Sequence, residues 1–271
     1  MPASTVLAGR MLVVDFDFFF PNPAYTHSLG SDLMFLYDWG HQETPLYRDL
    51  LWPIRAQGFI DAGLPLPRCT PTTGFWDRFQ FATDVLLVAD SNLYAGALTP
   101  PDARGFTEIV LFDAHHDSGY RRSLDDYRAD GVYSCEDWTY PHLERGTRVE
   151  VRYPRWFPDW HQVDAQPRAP VHRGLDVGGP VPGVFDTVFC CRSGSWVPAW
   201  CDDQWWAFCQ AFPGPTAVLD DALRHSRWDF DHPGNPQPGP VARARRLPPA
   251  SVPAPTRAAT STPGHADADL R

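Results

Sequence analysis

Two short clusters of acidic and histidine residues carry the chemistry open to this sequence. The first is Asp113-Ala114-His115-His116-Asp117, which follows directly on the apolar run 109–112. On an extended backbone Asp113, His115 and Asp117 point to one side, because strand side chains alternate with a period of two. Two carboxylates and an imidazole suit a divalent ion of hard to borderline character, Mn²⁺ before Fe²⁺ or Zn²⁺. The second cluster is Asp15-Phe16-Asp17, at the end of the apolar run 11–14. It can add two carboxylate ligands to a binuclear metal centre. It can equally supply a nucleophile and a general acid for phosphoryl transfer.

Residues of this kind need rigid elements behind them. The runs 11–15, 84–89, 108–112, 148–153 and 187–191 are nearly continuous in apolar residues and bounded by breakers. Such runs are expected of parallel strands covered on both faces. Helices are expected over 46–57, 122–129 and 202–211, between the strands. Alternating strands and helices predict an α/β three-layer sandwich with a mostly parallel sheet. The Pro- and Gly-rich segments 60–80 and 155–185 are expected to be long surface loops. In open α/β sheets ligands bind beyond the carboxyl ends of the strands. That directs attention to Asp90 and Asn92 after one run, and to Arg192 and Ser193 after another. Arg192 and Ser193 could hold a substrate carboxylate or carbonyl, although Arg192 also suits an ion pair with an acidic residue.

Composition narrows the field. The chain has 271 residues, 33 acids against 23 bases, and a net charge of −10. Every base is arginine. Without lysine there is no P-loop, protein-kinase or pyridoxal chemistry of the usual form. The acidic balance argues against nucleic acid as a partner and favours cations. No run reaches the ~20 apolar residues of a membrane span, and Arg10, Asp15 and Asp17 interrupt the N-terminal apolar stretch. Six cysteines without metal-type spacing read as reduced, buried thiols, so a cytoplasmic protein is expected. Residues 231–271 hold no Phe, Trp or Tyr and many prolines. They are expected to be a disordered tail behind a single domain over 1–230. Self-association into a homo-oligomer is compatible with the sequence.

Asp113-Ala114-His115-His116-Asp117 resembles the DAHxD motif of arginases and agmatinases, and Asp15-Phe16-Asp17 resembles their DxD motif, in reversed order along the chain. Ser134-Cys135-Glu136-Asp137-Trp138 is similar to an S-x-E-N-W segment, with Asp137 in place of Asn. Together the three motifs, spread over 11–140, resemble the arginase-fold family that includes the peptide arginases. Those enzymes convert arginine side chains in peptides to ornithine. The resemblance implies an arginase-like sandwich with reordered motifs and two Mn²⁺ ions, or one. It places Asp15, Asp17, Asp113, His115 and Asp117 around the metal. It implies hydroxide attack on a guanidinium, either of an arginine-containing peptide or of a small guanidino compound, with release of urea. Glu136 would pair with the guanidinium, with Asp137 and Trp138 beside it, the indole as a cation–π wall. His116 or His142 would shuttle the proton. The family carries histidine after the strand equivalent to 85–89, where this chain has Asp90-Ser91-Asn92. Asp90 or Asn92 would then replace an imidazole with oxygen, or leave a one-metal site.

Two alternatives stand beside this. One is an arginase-fold binding protein with a single metal or no catalysis. The other is a phosphatase of the haloacid-dehalogenase type using Asp15 and Asp17. Against the second, Phe18 and Phe19 follow where that family has DxDx[TV], no lysine exists to hold a phosphoryl group, and the second cluster is left without a role.

Overall fold

The computed structural model describes residues 7–26, 33–34, 51–100 and 103–220. The strands are β1 (Arg10–Asp15), β2 (Gln80–Phe81), β3 (Leu86–Ala89), β4 (Glu108–Phe112), β5 (Arg148–Tyr153), β6 (His172–Leu175), β7 (Val184–Phe185), β8 (Thr187–Cys191) and β9 (Thr216–Val218). Seven of them form one sheet in the order β6-β5-β4-β1-β8-β3-β9. All of its pairings are parallel. β2 and β7 make a separate two-stranded parallel ribbon.

Helices cover both faces, giving an α/β sandwich of three layers. The alternation of side chains along β1 shows why two cores are needed. Leu12 and Val14 belong to one buried cluster, with Trp52, Ala56 and Phe59 of the helix Trp52–Asp61 and Trp205, Phe208 and Cys209 of the helix Asp202–Gln210. Met11 and Val13 belong to the other, with Ala95 of the short helix Leu93–Gly96 and with Trp138. A strand buried on both sides must be apolar through its buried length, as β1 is over residues 11–14 and β4 over residues 109–112.

The inner strands lie where the apolar runs place them: β4, β5 and β8 match 108–112, 148–153 and 187–191. β3 begins two residues later than expected, at Leu86. The helices run Leu124–Asp130 and Asp202–Gln210, each within two residues of expectation. Of the helix expected over 46–57, residues 46–50 lie outside the described residues; the helix starts at Trp52 and continues to Asp61. The segment 155–185 is not one loop. It contains the turn of helix Trp160–Val163 and the strand β6. β6, His-Arg-Gly-Leu, is an edge strand with no fully buried residue, so it needs no apolar run. The expected tail over 231–271 lies outside the described residues.

Candidate metal centre

The carboxyl ends of β1, β4, β3 and β8 meet at the middle of the sheet, and the two acidic clusters face each other there. β1 ends at Asp15, whose side chain accepts the backbone N–H of Asp17 at 3.0 Å. This caps a 3-10 turn over Phe16–Phe19. Phe18 and Phe19 anchor the turn against Phe75, with ring centroids 6.2 and 5.2 Å away. The turn carries Asp17 back toward the second cluster. There its Oδ1 accepts the N–H of Ala114 at 3.0 Å, and its Oδ2 lies 2.8 Å from His115 Nδ1. Asp113 Oδ1 accepts the N–H of His115 at 2.7 Å. Asp117 adopts φ 46°, a left-handed turn that ends the cluster.

Two groups of ligand atoms result: Asp17, Asp113 and His115, and Asp15, Asp113 and Asp117. Within each group the atoms lie within 4.8 Å of one another. Asp113 belongs to both. Asp15, Asp17 and Asp113 are buried, and among the described residues no arginine pairs with them; His115 lies beside Asp17 and Asp113. Buried carboxylates require compensation by a cation or a proton. Burial, then the charges of Asp17 and Asp117, hold the Asp15 and Asp113 carboxyls well above the ordinary range. Burial likewise pushes Asp117 up to about 7. For His115, burial alone would lower the pKa, but the adjacent Asp17 carboxylate overrides it and pushes the imidazole up to about 9.

The donor set fits divalent ions. Asn92, only 1 % exposed, points Nδ2 at three of the carboxylates: 2.7 Å from Asp15 Oδ2, 2.9 Å from Asp117 Oδ2 and 3.4 Å from Asp113 Oδ2. Its Oδ1 and the Nε2 of His115 are buried without a hydrogen-bond partner. Ser193, at φ 61°, sits beside Asp15 and acts to lower its pKa. Trp138 donates its indole N–H to Asp117 Oδ2 at 3.1 Å.

Several residues expected at the site stand elsewhere. Asp90 joins neither donor group; its Oδ1 lies 3.9 Å from Arg192 Nη1. Arg192 is buried, donates from Nε to Asp202 Oδ1 at 2.8 Å and from Nη1 to the Val197 carbonyl at 3.1 Å, and is a structural ion-pair partner. Asp137 caps the turn Cys135–Asp137 through Ser134 and lies 3.6 Å from Arg122. Trp138 is fully buried, so it orients Asp117 rather than walling a substrate. His142 lies in the core, with Nε2 3.0 Å from the Ala95 carbonyl, and burial pushes it down to about 4. His116 sits behind the cleft wall: its Nδ1 accepts the Ser118 N–H at 3.0 Å, its ring stacks on Tyr120 at 4.1 Å, its Nε2 lies 3.9 Å from Asp164 Oδ1, and burial pushes it down to about 4. Neither histidine reaches the cleft to move a proton.

Above the acidic cluster opens a cleft of about 210 Å³, with Asp15, His115, Asp117, Glu136 and Asp164 among its lining residues. Its aromatic walls are Tyr25, Tyr120, Phe157 and Trp196. Tyr25 stacks on Phe157 with centroids 4.8 Å apart, and Trp196 lies 4.5 Å from His115. Asp164 accepts from Tyr120 Oη at 2.6 Å and from Tyr153 Oη. Sequence reasoning missed Tyr25, Tyr120, Phe157, Asp164 and Trp196. Trp196 alone carried a signal, since it follows the β8 run. Phe157 and Asp164 come from the Pro-rich segment, where only length hinted at function.

No protein family matches this chain, and no curated protein or solved structure matches it either. Among the described residues no helix is long and apolar enough to cross a membrane.

Proposed function

We propose that this protein is an Mn²⁺-dependent hydrolase that releases urea from the guanidinium of arginine, with peptidyl arginine as the substrate and ornithine as the product. The observation that supports it most is the pair of donor groups sharing Asp113 at the floor of an acidic, aromatic-walled cleft. Two ions there would be held by Asp17, Asp113 and His115 on one side, and by Asp15, Asp113, Asp117 and Asn92 on the other. When bound, they would supply Lewis acidity and a water acidic enough to ionise near neutral pH.

The chain's own residues would do the rest. Glu136 can accept two guanidinium N–H groups side by side, the geometry that planar ion favours. The partly exposed rings of Tyr25 and Trp196 suit the arginine stem and its delocalised cation, with buried Phe157 stacked behind Tyr25. Addition of water to the guanidinium carbon, followed by cleavage of the bond to Nε, gives urea and an amine. The amine needs a proton, and Glu136 and Asp164 are the cleft groups placed to return it. Peptidyl arginine is favoured over free arginine because the described lining holds no arginine to receive an α-carboxylate. The same acidity disfavours a phosphate monoester, and with it the phosphatase alternative. Six free thiols, among the described residues, suit a reducing cytoplasm.

The test is direct. Purified protein is loaded with Mn²⁺ and its metal content measured, and urea is assayed with an arginine-containing peptide. About two ions per chain and urea release are expected, both lost in Asp113→Asn. Bound Mn²⁺ without turnover of any guanidine would instead support the non-catalytic alternative.

A further inference from the structure

We propose that the two halves of this centre are chemically unequal, one being an all-oxygen site closed by the Asn92 side-chain amide, which turns over when an ion enters. This rests on the cluster being a metal centre. The three carboxylates that Asn92 Nδ2 contacts, Asp15, Asp113 and Asp117, are the same three that form one donor group. An ion held by that group therefore meets the Asn92 amide. Where no cation is present, the amide's N–H atoms are the favourable inward end, because they face carboxylate oxygens. A cation reverses that preference and favours the oxygen. Asn92 Oδ1 is buried and has no hydrogen-bond partner, so turning the amide breaks no bond at that atom. Ser193 Oγ, whose side chain hydrogen-bonds the Asp15 carboxylate, adds another oxygen to the same half.

The other half contains His115, whose Nδ1 lies 2.8 Å from Asp17 Oδ2 and 3.7 Å from Asp113 Oδ1. Oxygen donors suit Mg²⁺, Ca²⁺ and Mn²⁺, whereas an imidazole adds affinity for Mn²⁺ and Zn²⁺ over Mg²⁺. The Asn92 half is thus the one at which Mg²⁺ competes with Mn²⁺, and the His115 half retains Mn²⁺.

The full-length protein, stripped of metal and loaded with Mn²⁺, is challenged with excess Mg²⁺. Released Mn²⁺ is read from the paramagnetic resonance signal of the free aquo ion. Release of about one of two bound equivalents is expected. In Asn92→His the second half gains a nitrogen, and release by Mg²⁺ should largely disappear. In Asn92→Leu, Mn²⁺ affinity at one site should fall about tenfold or more, while His115→Ala should leave a single ion that Mg²⁺ displaces fully. Circular dichroism checks that each variant is folded, and the wild-type displacement stands independently of them. Joint release of both ions, release of neither, or unchanged two-ion binding in folded Asn92→Leu would overturn the inequality while leaving the metal centre intact. A wild-type protein that binds no Mn²⁺ would overturn the metal-centre reading, and this one with it.

Discussion

At the scale of single residues, the proposed metal centre would set protons and metal ions in competition for the same buried lone pairs. His115, pushed up to about 9, and Asp117, pushed up to about 7, take up protons below those values, and a bound ion would have to displace them. Apparent Mn²⁺ affinity should therefore climb with pH through that window, and calorimetric titration would show it. His115→Gln should flatten the upper part of the climb. The same shifts set the stability of the metal-free fold. Both groups bind protons more tightly folded than at their ordinary values of 3.8 and 6.5. Their contribution is complete below those values and is lost as pH rises through about 7 and about 9. Mn²⁺ should raise the melting temperature more at the alkaline end than at neutral pH. Trp138 gives a further residue-level test. Trp138→Phe keeps a buried aromatic but removes the N–H on Asp117, and should weaken Mn²⁺ binding about tenfold with little effect on where the chain melts in the absence of metal. Of these residues, Asp15, Asp17, Asp113, His115 and Asp117 were legible in the sequence because each sits directly after an apolar run. The choice between Asp90 and Asn92 was not. It depends on how the turn after β3 rotates each side chain, and no periodicity encodes that. His116 and His142 misled for a related reason: an imidazole near a motif can point into the core as readily as into a cleft.

At the scale of elements, the site depends on turns that reverse direction within a few residues of a strand end. The turn after β4 is the tightest. Gly119 has φ 87°, and a Cβ there would lie 1.7 Å from Tyr140 Oη and 2.5 Å from the Arg122 carbonyl. Tyr140 cannot retreat cheaply, because it is fully buried and donates to that carbonyl at 2.6 Å. Gly119→Ala combines a left-handed backbone with a clash and should cost more than about 2 kcal/mol. Chemical denaturation would measure it, and unchanged stability would mean the turn is built otherwise. The inner strands were legible because burial on both faces forces apolar residues at every position. The edge strands β6 and β9 were not, since an edge has fewer buried faces and β9 spans only Thr216–Val218. The cleft walls were hidden for the same reason. Phe157 and Asp164 belong to the irregular chain between β5 and β6, whose path follows from tertiary contacts such as Asp164 with Tyr120 and Tyr153.

At the scale of the whole molecule, the question is which charges serve the fold and which serve the site. Arg192 separates the two. It leaves the end of β8 beside the acidic cluster, yet its guanidinium turns away and pairs with Asp202 at the start of the helix Asp202–Gln210. Arg192 is 1 % and Asp202 is 4 % exposed. The pair therefore ties the central sheet to one covering layer. Removing one partner of a buried pair strands the other charge, at a cost of about 3–5 kcal/mol, whereas replacing both with apolar residues of similar volume can be close to neutral. Arg192→Ala should accordingly lower the melting temperature sharply, and Arg192→Met with Asp202→Leu should recover much of the loss. In every variant that remains folded, Mn²⁺ stoichiometry and the Michaelis constant for the arginine peptide should stay at wild-type values, because Arg192 does not line the cleft. A folded double variant with intact metal content but a Michaelis constant raised about tenfold, some 1.4 kcal/mol of lost binding, would restore Arg192 to the substrate site and refute its purely structural assignment.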